Sequence, residues 1–148
     1  MFHVSAVCTF VAYETVIKPE FINNNSYGEI SFANEEFMYL NDTAKLTVSY
    51  GLFNNFSDAG NLYLSTVAAL NKSSDITGAK IGQLFNTTYV YINTSRNRSS
   101  GAVESSVISA VYGNYLVHIE SIGSQFNVYQ ARQLLYNQIV DINLLSSQ

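Results

Sequence analysis

Twice in this chain an alternating apolar stretch passes a glycine, reaches a phenylalanine and gives way to a helix-capping residue: Leu46 to Phe56 before Ser57, and Leu116 to Phe126 before Asn127. A strand that must bury one face, followed at once by a helix that must bury one stripe, leaves few arrangements open. The two units predict an α+β domain, β-rich, with a mainly antiparallel sheet and two helices packed on one face. Duplication and chance similarity both remain open as the origin of the echo. The 148 residues suit one core better than two, so 1–148 reads as a single domain, with an α+β body over 29–148 and an N-terminal strand extension over 1–17.

The individual elements follow from period and punctuation. Glu29 to Ala33 and Glu36 to Leu40 flank Asn34-Glu35 as a predicted hairpin, and Lys45 to Phe53 alternates as a strand. Ser57-Asp58 predicts a helix start, with Ala59, Tyr63, Val67 and Leu70 on its buried face. Ile81 to Phe85 and Thr87 to Asn93 read as strands, and Thr94 to Ser100 as a polar loop. Val103 to Tyr112 and Tyr115 to Ser121 pair across Gly113-Asn114, a connection suited to a type II′ turn because glycine accepts positive φ. Asn127 caps a last helix to about Asn143, with Val128, Ala131, Leu135, Ile139 and Ile142 inward.

Charge is scarce. Only seven lysines and arginines, scattered along a chain of net charge -4, leave no stripe to track a phosphate backbone, which excludes nucleic acid as a partner. A surface built from Asn, Ser, Thr and Tyr instead predicts an extracellular or cell-surface protein. Seven N-x-[ST] sequons agree with export, at Asn24, Asn41, Asn55, Asn71, Asn86, Asn93 and Asn97, and most fall at predicted turns or element ends. The single Cys8 allows no internal disulfide. No run is long enough to span a membrane as a helix, and the stretch Phe2 to Tyr13 lacks the basic start and small-residue cleavage pattern of a signal peptide.

Catalytic chemistry finds little to use. His3 and His118 are too few and too isolated for a metal cluster, and no cofactor motif is present: Gly78-x-x-x-Gly82 lacks the Gly-Lys-Ser ending of a phosphate loop. His118 and Glu120 share a strand face at i and i+2, the arrangement of an imidazole–carboxylate acid/base pair, and equally that of two polar residues on a wet face. The tyrosines Tyr89, Tyr91, Tyr112 and Tyr115 are candidates for a ligand or glycan surface, against the plainer expectation that they edge the core. Arg96 and Arg98 could grip an anion from their loop.

Phe2, Val4, Ala6, Cys8, Phe10 and Ala12 form an uninterrupted apolar face. That face must be buried, either in the sheet of its own chain or in the groove of a neighbour. With the surface composition, the segment resembles secreted, Asn-glycosylated filament or pilus subunits, which implies strand donation between subunits. The run Val111 to Ile119 with its following helix resembles the closing hairpin and helix of PsbP-like extracellular domains, which implies a non-enzymatic domain that joins larger assemblies. Three functions therefore stand in order: a structural subunit that self-associates or joins envelope proteins, a monomeric small-ligand or glycan module, and a hydrolase using His118 and Glu120.

Overall fold

A computed structural model of the chain describes residues 10–14, 20–21, 29–39, 44–71, 75–98 and 101–146. The order is β1 (Phe10–Glu14), β2 (Glu20–Phe21), β3 (Glu29–Tyr39), β4 (Lys45–Phe53), α1 (Phe56–Asn71), β5 (Ile76–Leu84), β6 (Thr87–Arg98), β7 (Gly101–Tyr112), β8 (Tyr115–Ile122) and α2 (Val128–Ser146). The strands form one antiparallel sheet in the order β1-β3-β4-β8-β7-β6-β5, with β2 pairing β3 beside β1. The α+β class and the antiparallel sheet are as predicted.

Register explains how the core is layered. Val48, Ile119, Ile108 and Tyr91 stand in one cross-strand row, and Tyr50, Val117, Ala110 and Tyr89 in the next. Directly paired residues share a face, so both rows line the same side, and α2 covers it with Ala131, Leu134, Leu135, Ile139 and Ile142. Phe53, Leu116 and Val111 have the opposite parity and pack with Ala59 of α1.

The helices thus sit on opposite faces, not on one. The reason is the connection. Asn54 and Asn55 alone separate Phe53 from α1, which keeps the helix on the side to which Phe53 points. From β8 the chain runs through the positive-φ Gly123 to Asn127 before α2 begins, long enough to reach the other side. The apparent echo between the two units hides this difference in span.

Three local expectations also change. The hairpin at Asn34-Glu35 does not form: β3 runs unbroken from Glu29 to Tyr39, with Asn34 opposite Ser49 and Glu35 opposite Val48, because β4 offers a continuous ladder to pair with. The polar loop Thr94 to Ser100 is mostly strand, extending β6 to Arg98 opposite Gly101. There the Thr94 and Ser105 hydroxyls bond across the strands and Arg96 pairs with Asp75 at 3.0 Å, replacing apolar contacts as the cross-strand link. Finally, Asn55 caps α1 in place of Ser57: its Oδ1 accepts from the Asp58 N–H at 2.8 Å.

The last helix follows its signals closely. Asn127 Oδ1 accepts from the Gln130 N–H and Gln130 Oε1 from the Asn127 N–H, both at 2.9 Å, a reciprocal capping box. Gly113 takes φ 58 between paired Tyr112 and Tyr115, as the β7–β8 hairpin requires.

Candidate functional site

The N-terminal candidates divide. Phe2, Val4, Ala6 and Cys8 lie outside the described residues. Phe10 and Ala12 lie in β1, where Phe10 pairs with Tyr39 and Ala12 with Phe37 of the same chain. That short stretch pairs at the edge of its own chain's sheet.

The tyrosines are placed together, but three of the four candidates work as fasteners for α2. Tyr89 is buried, and its hydroxyl accepts from Arg132 Nη1 at 2.9 Å while the guanidinium lies 5.5 Å from its ring centroid. Tyr91 donates to the Phe126 carbonyl just ahead of α2, and Tyr112 to Asn143 Oδ1 at 2.8 Å near its far end. Tyr115 meets Tyr50 edge-on at 6.5 Å. Sequence reading missed Tyr50, whose hydroxyl donates to the fully buried Gln138 Oε1 at 2.7 Å, because a glutamine inside an apolar helix face gives no sign of its partner.

His118 and Glu120 do share a face, the α1 side of the sheet. His118 lies between Ser49 and Ser109, and Glu120 between Thr47 and Val107. Burial holds the His118 pKa below 6.5, with the Glu120 charge pulling partly the other way. Among the described residues no group of three or more His, Cys, Asp or Glu could hold a metal ion. No described helix is long and apolar enough to cross a membrane.

The sequons fare differently. Asn24 and Asn41 lie outside the described residues, and Asn71 and Asn97 close α1 and approach the end of β6. Asn55 caps α1, and Asn93 lies mid-strand between β5 and β7 with its Oδ1 accepting from Ser106 Oγ at 2.5 Å. Asn86 is exposed in the tight β5–β6 turn.

Two surface features on the α2 side bear on function. Phe85 and Asn86 hold φ of 51° and 59°, the pair of positive values that a type I′ turn needs. A phenylalanine in that region is uncommon. Half-exposed Phe85 stacks on exposed Tyr136 of α2, with centroids 5.3 Å apart. Tyr136 in turn belongs to a stripe with Tyr129, Val140 and Leu144, all exposed along the outer side of α2.

The second feature is a cleft of about 550 Å³ on the α2 side, between β5–β6 and the start of α2. Lys80, Tyr91, Asn93, Gln125, Asn127 and Gln130 supply its polar lining, and Gly78, Phe126 and Val128 part of the rest. Lys80 stands opposite Tyr91 and Gly78 opposite Asn93, so the missing side chain at Gly78 helps to open the space.

No protein-family model and no curated protein matches the sequence. Among solved structures the fold is similar to that of the extracellular domain of PknH from Mycobacterium tuberculosis, with a TM-score of 0.57 and 14% identity over 80% of this chain. The match spans 66% of that chain, just under two thirds of its length. At this identity the likeness is one of fold.

Proposed function

We propose that this chain is an exported, non-enzymatic subunit that works by associating with copies of itself or with other envelope proteins through the outer face of α2. The observation that carries this is the stripe of Tyr129, Tyr136, Val140 and Leu144, shared with the neutral amides of Gln133 and Asn143 and lying on a helix whose opposite side is already buried. Four large apolar side chains exposed along one helix face are a poor end state in water. Phe85, in its uncommon backbone conformation, widens the stripe into a patch instead of turning inward. Export is supported by the sequons, the sparse charge and a fold shared with an extracellular domain. Because Phe10–Glu14 pair within their own sheet, the helix face replaces strand donation as the favoured contact.

Light scattering after size exclusion, over a series of concentrations, tests this. The full chain is expected to form a discrete oligomer that Tyr136→Asp keeps monomeric with unchanged circular dichroism. A full chain that stays monomeric throughout would overturn self-association.

A second reading, a small-ligand or glycan module, is favoured by the cleft beneath the start of α2.

A further inference from the structure

The cleft is lined by four side-chain amides, each half committed to its own protein. Asn127 Oδ1 and Gln130 Oε1 accept the capping bonds of α2, and Asn93 Oδ1 accepts from Ser106 Oγ at 2.5 Å. Gln125 is committed the other way round, its Nε2 donating to the Thr94 carbonyl at 3.0 Å. A side-chain amide carries two donors on nitrogen and lone pairs on oxygen. Three NH₂ groups, on Asn93, Asn127 and Gln130, therefore have no acceptor among the described residues, and Gln125 Oε1 has no donor.

The internal bonds fix the plane of each amide, so the uncommitted halves are oriented before any ligand arrives. Lys80 adds an ammonium group, and no carboxylate lines the cleft. The balance is one of many donors and few acceptors, with one positive charge. A neutral sugar, whose hydroxyls donate as readily as they accept, matches this poorly. A uronic acid matches it better: its carboxylate meets Lys80, its ring and hydroxyl oxygens accept from the amides, and one hydroxyl donates to Gln125 Oε1. The volume of about 550 Å³ is in the range of small-ligand sites.

We propose that this cleft binds an acidic saccharide of one or two uronic acid units, held by Lys80 and the free halves of Asn93, Gln125, Asn127 and Gln130. The proposal rests on the second reading above and not on the α2 stripe.

Calorimetric titration of the full chain tests it, with digalacturonate, the neutral disaccharide cellobiose, and sodium acetate as probes. Digalacturonate is expected to bind saturably at one site, with cellobiose and acetate each at least about tenfold weaker. Lys80→Gln should weaken digalacturonate about tenfold. Asn93→Asp keeps the acceptor for Ser106 while exchanging the free NH₂ for negative charge, and should abolish binding with little change in melting temperature. Cellobiose binding as tightly as digalacturonate would overturn the acidic class while leaving a glycan module. Equal binding of acetate would reduce the site to a general anion contact and overturn the saccharide. Binding that survives both substitutions would place the ligand elsewhere and overturn the proposal, and binding of none of the probes would overturn the acidic saccharide while leaving the module reading to other ligands.

Discussion

The ring of Tyr89 lies across Gly82, its cross-strand neighbour, so closely that a Cβ on Gly82 would collide with the tyrosine hydroxyl and ring. The absent side chain is what lets Tyr89 lie down on β5, where Arg132 of α2 reaches its hydroxyl and the Gln83 carbonyl together. Gly82→Ala should therefore destabilise the fold by about 1–3 kcal/mol, the usual cost of overpacking. Urea denaturation measures this, and an unchanged midpoint would show that Tyr89 swings aside freely.

Gly60 presents the opposite case. It lies inside α1, and a Cβ there meets nothing within 4 Å. Gly60→Ala should stabilise the protein by about 0.5–1 kcal/mol through helix propensity and a more restricted unfolded chain. A rise in melting temperature is the expected result.

Tyr50 and Gln138 form a buried polar pair in an otherwise apolar layer. Tyr50→Phe should cost about 1–3 kcal/mol, because Gln138 Oε1 loses this donor where water cannot easily replace it. Tyr50→Phe combined with Gln138→Met should cost less than the sum of the two changes. A double-mutant cycle by chemical denaturation reads the coupling, and strict additivity would show that the bond contributes nothing.

The depressed pKa of His118 makes stability depend on pH. Below 6.5 the unfolded chain takes up a proton on this histidine before the folded chain does, so stability falls as pH drops from 6.5 toward the lower folded value. The contribution is fully present above 6.5. Urea midpoints at pH 7.5 and 5.5 should differ less in His118→Gln than in the natural chain, and equal differences would mean that another group governs the window.

Asn86 is the exposed sequon in a turn, while Asn55 caps α1 and Asn93 lies mid-strand in β6, paired with Gly78 on one side and Ser106 on the other. In a glycosylating host, Asn86→Gln should remove one glycan mass by intact-protein mass spectrometry, and Asn93→Gln none. A mass loss with Asn93→Gln would mean that the cleft amide is free to be modified before β6 and β7 pair.

Much of the backbone could be read from local chemistry. The Gly113 turn, the Asn127 cap and the strand alternation of β4, β7 and β8 depend on residues close in the chain, and each was legible for that reason. Long-range partners set the features that misled. Asn34-Glu35 has the look of a turn, but Ser49 and Val48 supply ladder partners from the next strand. Thr94 to Arg98 looks like a loop because its residues are polar, and it is held as strand by Ser105 and Asp75.

The candidate site was less legible still. Tyr91 was visible in the sequence as an aromatic on a strand face, but the four amides of the cleft come from β6, the turn before α2, and α2 itself. Their value as ligands depends on which half of each amide the fold has already used, and composition carries no trace of that.

An antiparallel α+β fold with two amphipathic helices could be read from local chemistry, because apolar period, glycine φ and capping side chains act within a few residues of one another. Contacts between distant segments set the rest: that the helices cover opposite faces, that Tyr89, Tyr91 and Tyr112 fasten α2, and that half-committed amides gather around one cleft. Those outcomes depend on the length of the turn after β8 and on which residues meet across the sheet, contacts that form only when distant segments are brought together.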